Sequence, residues 1–227
     1  MAGLLTLGSV HIGNILDVSP RTIRSIVEHD VIAVESLKKF NKLLSDLEIE
    51  TNAHIIEIPS CEEINAINNI VQILLNNKNV LILSDQGNAG FHDPGSGYAN
   101  VALMHNIKVT TIPGPNSVIT SLVVSGMAHG GFIYGCYPKD SNENKKFLNK
   151  FIDIDYPIVF LCVPSKVEQV LNDTLEVFGE DTHCIYAQDL TMSTETIFRC
   201  TVKEMLLKYY NNELNRESVI IINRTAN

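Results

Sequence analysis

Two apolar runs stop abruptly at residues that could do chemistry. Residues 81–95 read LILSDQGNAGFHDPG, an apolar strand that ends on Ser84 and Asp85 and continues into a loop with three glycines and a second carboxylate, Asp93. Residues 112–117 read IPGPNS, a second glycine- and proline-rich turn after the apolar run KVTTIP. Glycine lets main chain approach a ligand closely and adopt positive φ. A carboxylate at a strand end, such as Asp85, can accept hydrogen bonds from ligand hydroxyls or an amino group. The plainer reading is a tight turn in which Asp85 and Asp93 cap backbone amides. Two such loops on strands of one half shift the weight toward a ligand.

That ligand is not held by a phosphate cradle. The chain has no GxxxxGK[ST]; its nearest approach to GxGxxG is GSGYAN at 95–100, which lacks the third glycine and follows HDP instead of a strand. Neither loop carries a basic residue, so the pocket suits a polar group that is not strongly anionic.

The elements that must position these loops alternate along the chain. LLTLGSV, VIAVES, VLILS, KVTTIP, FIYGCY, PIVFLCV, HCIYAQD, ETIFRCT and ESVIIIN read as strands. SPRTIRSIVEHD is a helix with Ser19 as N-cap and Pro20 in its first position. Ser60 and Glu63 predict a capping box before Ile64, Ile67, Val71, Leu74 and Leu75. A short helix is expected near YANVALMHN, others over VITSLVVSGM, NENKKFLNKF and VKEMLLKYY, and one over SKVEQVLNDTLEVFG, capped by Ser165 and ended by Gly179. Near-continuous apolar strands separated by helices imply sheets covered on both faces. The expected class is α/β in two domains, residues 1–115 and 116–227, with a ligand cleft between them beyond the strand ends.

The 227 residues carry a formal charge of −9, which opposes a broad electrostatic grip on nucleic acid. The basic groups Arg21/Arg24, Lys38/Lys39/Lys42 and Lys145/Lys146 read as solvated helix faces, although one local surface could still bind RNA. Five scattered cysteines without a CxxC pair and seven histidines without HExxH give no metal signature. No apolar run approaches the ~20 residues that span a bilayer, and the N-terminus lacks the basic start of a secretion signal. A reduced, cytoplasmic setting is the expectation.

In this order and spacing, LGSVHIGNILDVSPRTIRSIVEHDVIAVES, SDQGNAGFHDPG, IPGPNSVITSLVVSGM, FIYGCYP and QDLTMSTETIF resemble the tetrapyrrole methylase superfamily. Within it the chain is most similar to the branch that 2′-O-methylates a ribose in small-subunit ribosomal RNA. The resemblance covers essentially the whole chain and implies a two-domain α/β methyltransferase, a homodimer, with S-adenosylmethionine in the cleft. It places Ile12 and Gly13 beside that cofactor, and Ser84, Asp85, Gly87 and Asn88 on its ribose and amino-acid part. Pro115, Asn116 and Ser117 would face it from the next helix start, while Leu161, Cys162, Ala187 and Gln188 would close on the adenine. Each of these last four also reads as ordinary core.

The departures lie on the acceptor side. The branch's AEDTRHT corresponds here to a stretch that keeps Glu35 but has Ser36, Leu37 and Lys38. Its ARELTK becomes Ala187 to Met192, and the glutamate of its YES segment becomes Cys162. Alkylating a ribose hydroxyl calls for a base, or for a cation that stabilises developing alkoxide. Glu35 and Lys38 are the candidates, with Asp189 and Glu195 behind them; Glu35 reads equally well as a strand-end residue that caps the following helix. The eroded motifs leave open another acceptor (a tetrapyrrole, a peptide or another small molecule) or a cofactor-binding protein without catalysis.

Overall fold

In a computed structural model of the chain the described residues are 2–127, 130–135 and 141–224. They form two compact units, Met1–Asn116 and Ser117–Asn227. The first contains β1 (Leu5–Leu7), α1 (Pro20–Glu28), β2 (Val31–Val34), α2 (Leu37–Leu47), β3 (His54–Glu57), α3 (Ile64–Leu75), β4 (Val80–Leu83), α4 (Ser96–Met104) and β5 (Val109–Thr111). Its sheet runs β3-β2-β4-β1-β5, and every pairing is parallel. All its strands therefore end on one edge.

Strand alternation builds two cores in this unit. Val31, Ala33, Val80 and Ile82 pack with Ile67, Ile70, Val71 and Leu74 of α3 and with Tyr98 and Ala102 of α4. Their neighbours Ile32, Val34, Leu81 and Leu83 point the other way, onto Ile26 of α1 and Phe40 and Leu43 of α2. A strand buried on both faces needs apolar residues at every position, which is why VIAV and VLIL are unbroken runs.

The start of α1 is built as its sequence suggests: Ser19 Oγ accepts from the amide of Thr22 at 3.0 Å, and Pro20 opens the helix. Two other caps differ from expectation. The Ser60–Glu63 box does not form, because α3 begins only at Ile64 and Glu63 caps nothing with its side chain. The carboxylate next to it, Glu62, instead accepts from the amides of Gly95 (2.6 Å) and Gly97 (2.8 Å) and caps α4. Ser165 lies inside α7, not at its N-cap. Proline has no N–H to satisfy, so the helix starts one residue earlier, at Pro164.

The second unit contains α5 (Ser117–Ser125), β6 (Ile133–Tyr134), α6 (Ser141–Asn149), β7 (Ile158–Cys162), α7 (Pro164–Phe178), β8 (His183–Gln188), β9 (Thr196–Thr201), α8 (Val202–Tyr210) and β10 (Ser218–Asn223). Of the expected strand FIYGCY, Cys136 and Tyr137 lie outside the described residues. The sheet order is β6-β7-β10-β8-β9, parallel only between β6 and β7. Phe160, Tyr186 and Ile220 face α7 and α8 in one core, and the opposite-facing Val159, Ile185 and Ile221 are buried too. Gly179 ends α7 with φ +94° and its amide bonded to the carbonyl of Leu175.

Candidate functional site

At the carboxyl edge of the first sheet, β4 lies between β2 and β1, and β1 lies between β4 and β5. This order brings three separate loops together. The amide of Val10 donates to the carbonyl of Gly87 (2.9 Å), the amide of Gly87 donates to the carbonyl of His11 (3.2 Å), and Ala89 donates to Gly8. Ser9 pairs with Asn88 as an isolated bridge. The Ser9 hydroxyl lies 3.1 Å from the carbonyl of Gly87 and 3.5 Å from that of Pro115. Ile12 and Pro115 each come to 3.6 Å of the place where Gly87 would carry a Cβ, and Gly87 has φ +67°. Gly114 sits closer still to the first loop: a Cβ there would fall 2.6 Å from Cβ of Ser9. Ile12, Gly87, Asn88 and Pro115 are thus drawn together, with Gly13 and Asn116 next in sequence. Ser117 opens α5 in the second unit.

Ser84 and Asp85 follow β4 directly. Ser84 is buried and its hydroxyl donates to the carbonyl of Gln86 at 3.0 Å. Glu35, at the end of β2, accepts from the amide of Asp85 at 3.1 Å. It does not cap α2; Ser36 does, accepting from the amide of Lys39. The Asp85 carboxylate pairs with Lys39 at 2.9 Å, and only about a quarter of the Asp85 side chain is exposed. Lys38, the basic residue expected here, is exposed on the adjacent helical position, because successive residues of a helix point ~100° apart. Asp93 completes the cluster. Burial first, then the charges of Glu35 and Asp85, push its pKa up to about 6, against the opposing pull of Ser84 and Lys39.

A cavity of about 250 Å³ opens beside these groups. Ser84, Asp85 and Gln86 form one wall; Lys39, Lys42, Leu43 and Asp46 form another from one face of α2. His11 lines it from the loop after β1, and its buried Nδ1 has no hydrogen-bond partner. Burial lowers the His11 pKa, against Asp46 and Asp17, which raise it, and with Lys42, which lowers it.

In the second unit, β10 aligns the other four candidates at one sheet edge. Ser218 is registered with Cys162 on one side and Gln188 on the other; Val219 is registered with Leu161 and Ala187. Cys162 belongs to the apolar core, and burial pushes its thiol up to about 12. Gln188 is buried, and its Oε1 has no hydrogen-bond partner. Asp189, with φ +51°, pairs with Arg216 and accepts from the Thr194 hydroxyl. Glu195 accepts from the amide of Thr191. Both carboxylates serve the turn between β8 and β9.

Comparison with known proteins assigns this arrangement to a family. The model of the tetrapyrrole (corrin/porphyrin) methylases matches residues 9–206. The chain belongs to the tetrapyrrole methylases. A ribosomal RNA small subunit methyltransferase I of Buchnera aphidicola is 30% identical over 97% of this chain and 75% of its own length. The protein of the same name from Mycobacterium tuberculosis is 26% identical over 97% of this chain and 78% of its own. Among solved structures, the methyltransferase CobJ superposes with a TM-score of 0.77 at 14% identity, covering 99% of this chain and 95% of that one. A uroporphyrin-III C-methyltransferase from Thermus thermophilus does so with a TM-score of 0.69 at 13% identity, covering 98% and 94%. Tetrapyrrole methylases transfer methyl groups, and this chain is a methyltransferase.

Lys39 and His11 escape the sequence reading of this tetrapyrrole methylase. A signal for Lys39 does exist: Lys39, Lys42, Leu43 and Asp46 follow the i, i+3, i+4, i+7 spacing of one helix face. For His11 no periodic pattern applies, since it stands in a loop. Among the described residues no group of three or more His, Cys, Asp or Glu could hold a metal ion, and no helix is long and apolar enough to cross a membrane.

Proposed function

We propose that this methyltransferase moves the methyl group of S-adenosylmethionine to a ribose 2′-hydroxyl of small-subunit ribosomal RNA. The observation that carries the reading is the joining of the loops after β1, β4 and β5 around Gly87, with Asp85 presented at their edge. The groups present fit a sulfonium amino-acid nucleoside. Asp85 can accept from ribose hydroxyls or an ammonium group. Main-chain amides and carbonyls at Ile12, Gly13, Gly87, Asn88, Pro115 and Asn116 supply further contacts. S-adenosylmethionine supplies an activated methyl group; the protein's part is to align the acceptor oxygen in line with it and to exclude water. Glu35 acts by holding the Asp85 amide, and so the loop, in place.

The relatives named above as small-subunit RNA methyltransferases support the acceptor. The expected working form is a homodimer in the cytoplasm. Two experiments test the reading. Calorimetry with S-adenosylhomocysteine should give binding heat for the wild-type protein and at least ~10-fold weaker binding for Asp85→Ala, the loss of one charged hydrogen bond. Wild-type protein that gives no heat rejects the pocket. Mass spectrometry of ribosomal RNA from a deletion strain should show loss of one ribose methyl group; unchanged RNA rejects the acceptor.

A further inference from the structure

We propose that Lys39 is a positioning residue for the cofactor: it holds one oxygen of the Asp85 carboxylate and so presents the other to S-adenosylmethionine. This role rests on the reading of Asp85 as a cofactor contact given above, and names what keeps that side chain in place. Lys39 Nζ lies 2.9 Å from Oδ2 of Asp85. Among the described residues no hydrogen bond occupies Oδ1. Both residues line the cavity of about 250 Å³, and about a quarter of the Asp85 side chain is exposed, so the pair borders open space. Glu35 holds the main chain of the same residue, accepting from its amide at 3.1 Å. Backbone and side chain of Asp85 thus have separate anchors, one from the end of β2 and one from α2.

The surrounding charges show why a cation is needed. Glu35, Asp85 and Asp93 are three carboxylates at one sheet edge, close enough that the first two raise the Asp93 pKa behind the larger effect of burial. Repulsion between like charges drives the Asp85 side chain away from its neighbours, and Lys39 opposes that drive. Among the described residues it is the one cation that pairs with any of the three. Lys42 and Asp46 also face the cavity from α2, but they pair with each other, and His11 lines it from the loop after β1. Helix stability gives no reason for a lysine at this position. Lys39 stands in the first turn of α2, its amide donating to Ser36 Oγ, where the helix dipole disfavours positive charge. The carboxylate it meets accounts for it instead.

Lys39→Met, which removes the charge from an exposed helix position, tests the role. Calorimetry should show S-adenosylhomocysteine bound ~5-fold more weakly by Lys39→Met than by wild type. In an Asp85→Asn background the same substitution should change affinity less than twofold, because the cation then has no carboxylate to hold. Carbon-13 titration should place the Asp93 carboxyl of Lys39→Met above its wild-type value of about 6, since Ser84 alone then opposes burial and the charges of Glu35 and Asp85. Weakening of less than twofold, tighter binding (Lys39 then competes with the cofactor), an equal weakening in the Asp85→Asn background, or an Asp93 titration that does not rise overturns this role and leaves the pocket standing. Wild-type protein that gives no binding heat overturns the pocket and this role together.

Discussion

Replacing Asp93 by asparagine should stabilise the protein above neutral pH. In the fold the Asp93 carboxyl keeps its proton up to about pH 6, whereas an unperturbed aspartic acid releases it near 3.8. Between those values the folded protein binds a proton that the unfolded chain has lost, so stability falls as pH rises through the window. Above about pH 6 the penalty is complete; below about 4 it is absent. At ~1.4 kcal/mol per pKa unit the full penalty is about 3 kcal/mol. Asp93 is only half-buried, and solvent screening reduces the expected value to about 1–2 kcal/mol. Urea unfolding of wild type and Asp93→Asn at pH 4, 6 and 8 should give similar midpoints at pH 4 and a higher midpoint for the variant at pH 8. Carbon-13 titration of the Asp93 carboxyl reads the same effect directly, and Glu35→Gln should move that titration part of the way back toward 3.8 because one of the two repelling charges is gone. Equal stability at pH 8, or an Asp93 carboxyl that titrates near 4, would refute the reasoning.

The same geometry supports two further expectations about how the loops are held. Gly114→Ala places a methyl group 2.6 Å from Cβ of Ser9, where the first loop and the PGP turn meet; overpacking of that kind costs about 1–3 kcal/mol and should appear as a lowered melting temperature together with weakened S-adenosylhomocysteine binding. Glu62→Ala removes the carboxylate that serves the amides of Gly95 and Gly97. The loss should cost about 1–3 kcal/mol and speed hydrogen exchange in the first turn of α4.

Much of the fold was written in short stretches of sequence. Ser19 with Pro20, Gly179 after its helix, and the unbroken runs VIAV, VLIL and VIII each have a local cause, namely a cap, a positive φ or burial on both faces. Where the cause was less local the reading slipped. The edge strand β3 is only four residues long and half-exposed, so its pattern is weak, and the Ser60–Glu63 box does not form because α3 starts at Ile64 with Glu63 itself in the N-cap position. The α8 start, a true capping box between Thr201 and Glu204, carries the same T-x-x-E signature in the sequence.

Sequence by itself determined the α/β alternation, the chemical character of the loops after β4 and β5, and the kinship with a methyltransferase family. These depend on residue types within a few positions of one another. Tertiary structure alone decided which of those residues meet. The order β2-β4-β1 sets Glu35 against the Asp85 amide across 50 positions, and helix phase selects Lys39 over Lys38 as partner of Asp85. The same edge brings His11 to Ser84 and Asp85 and leaves its Nδ1 unpartnered. Strand order and burial are sums over the whole unit, so the pKa of Asp93 and the environment of His11 exist only once the chain has folded.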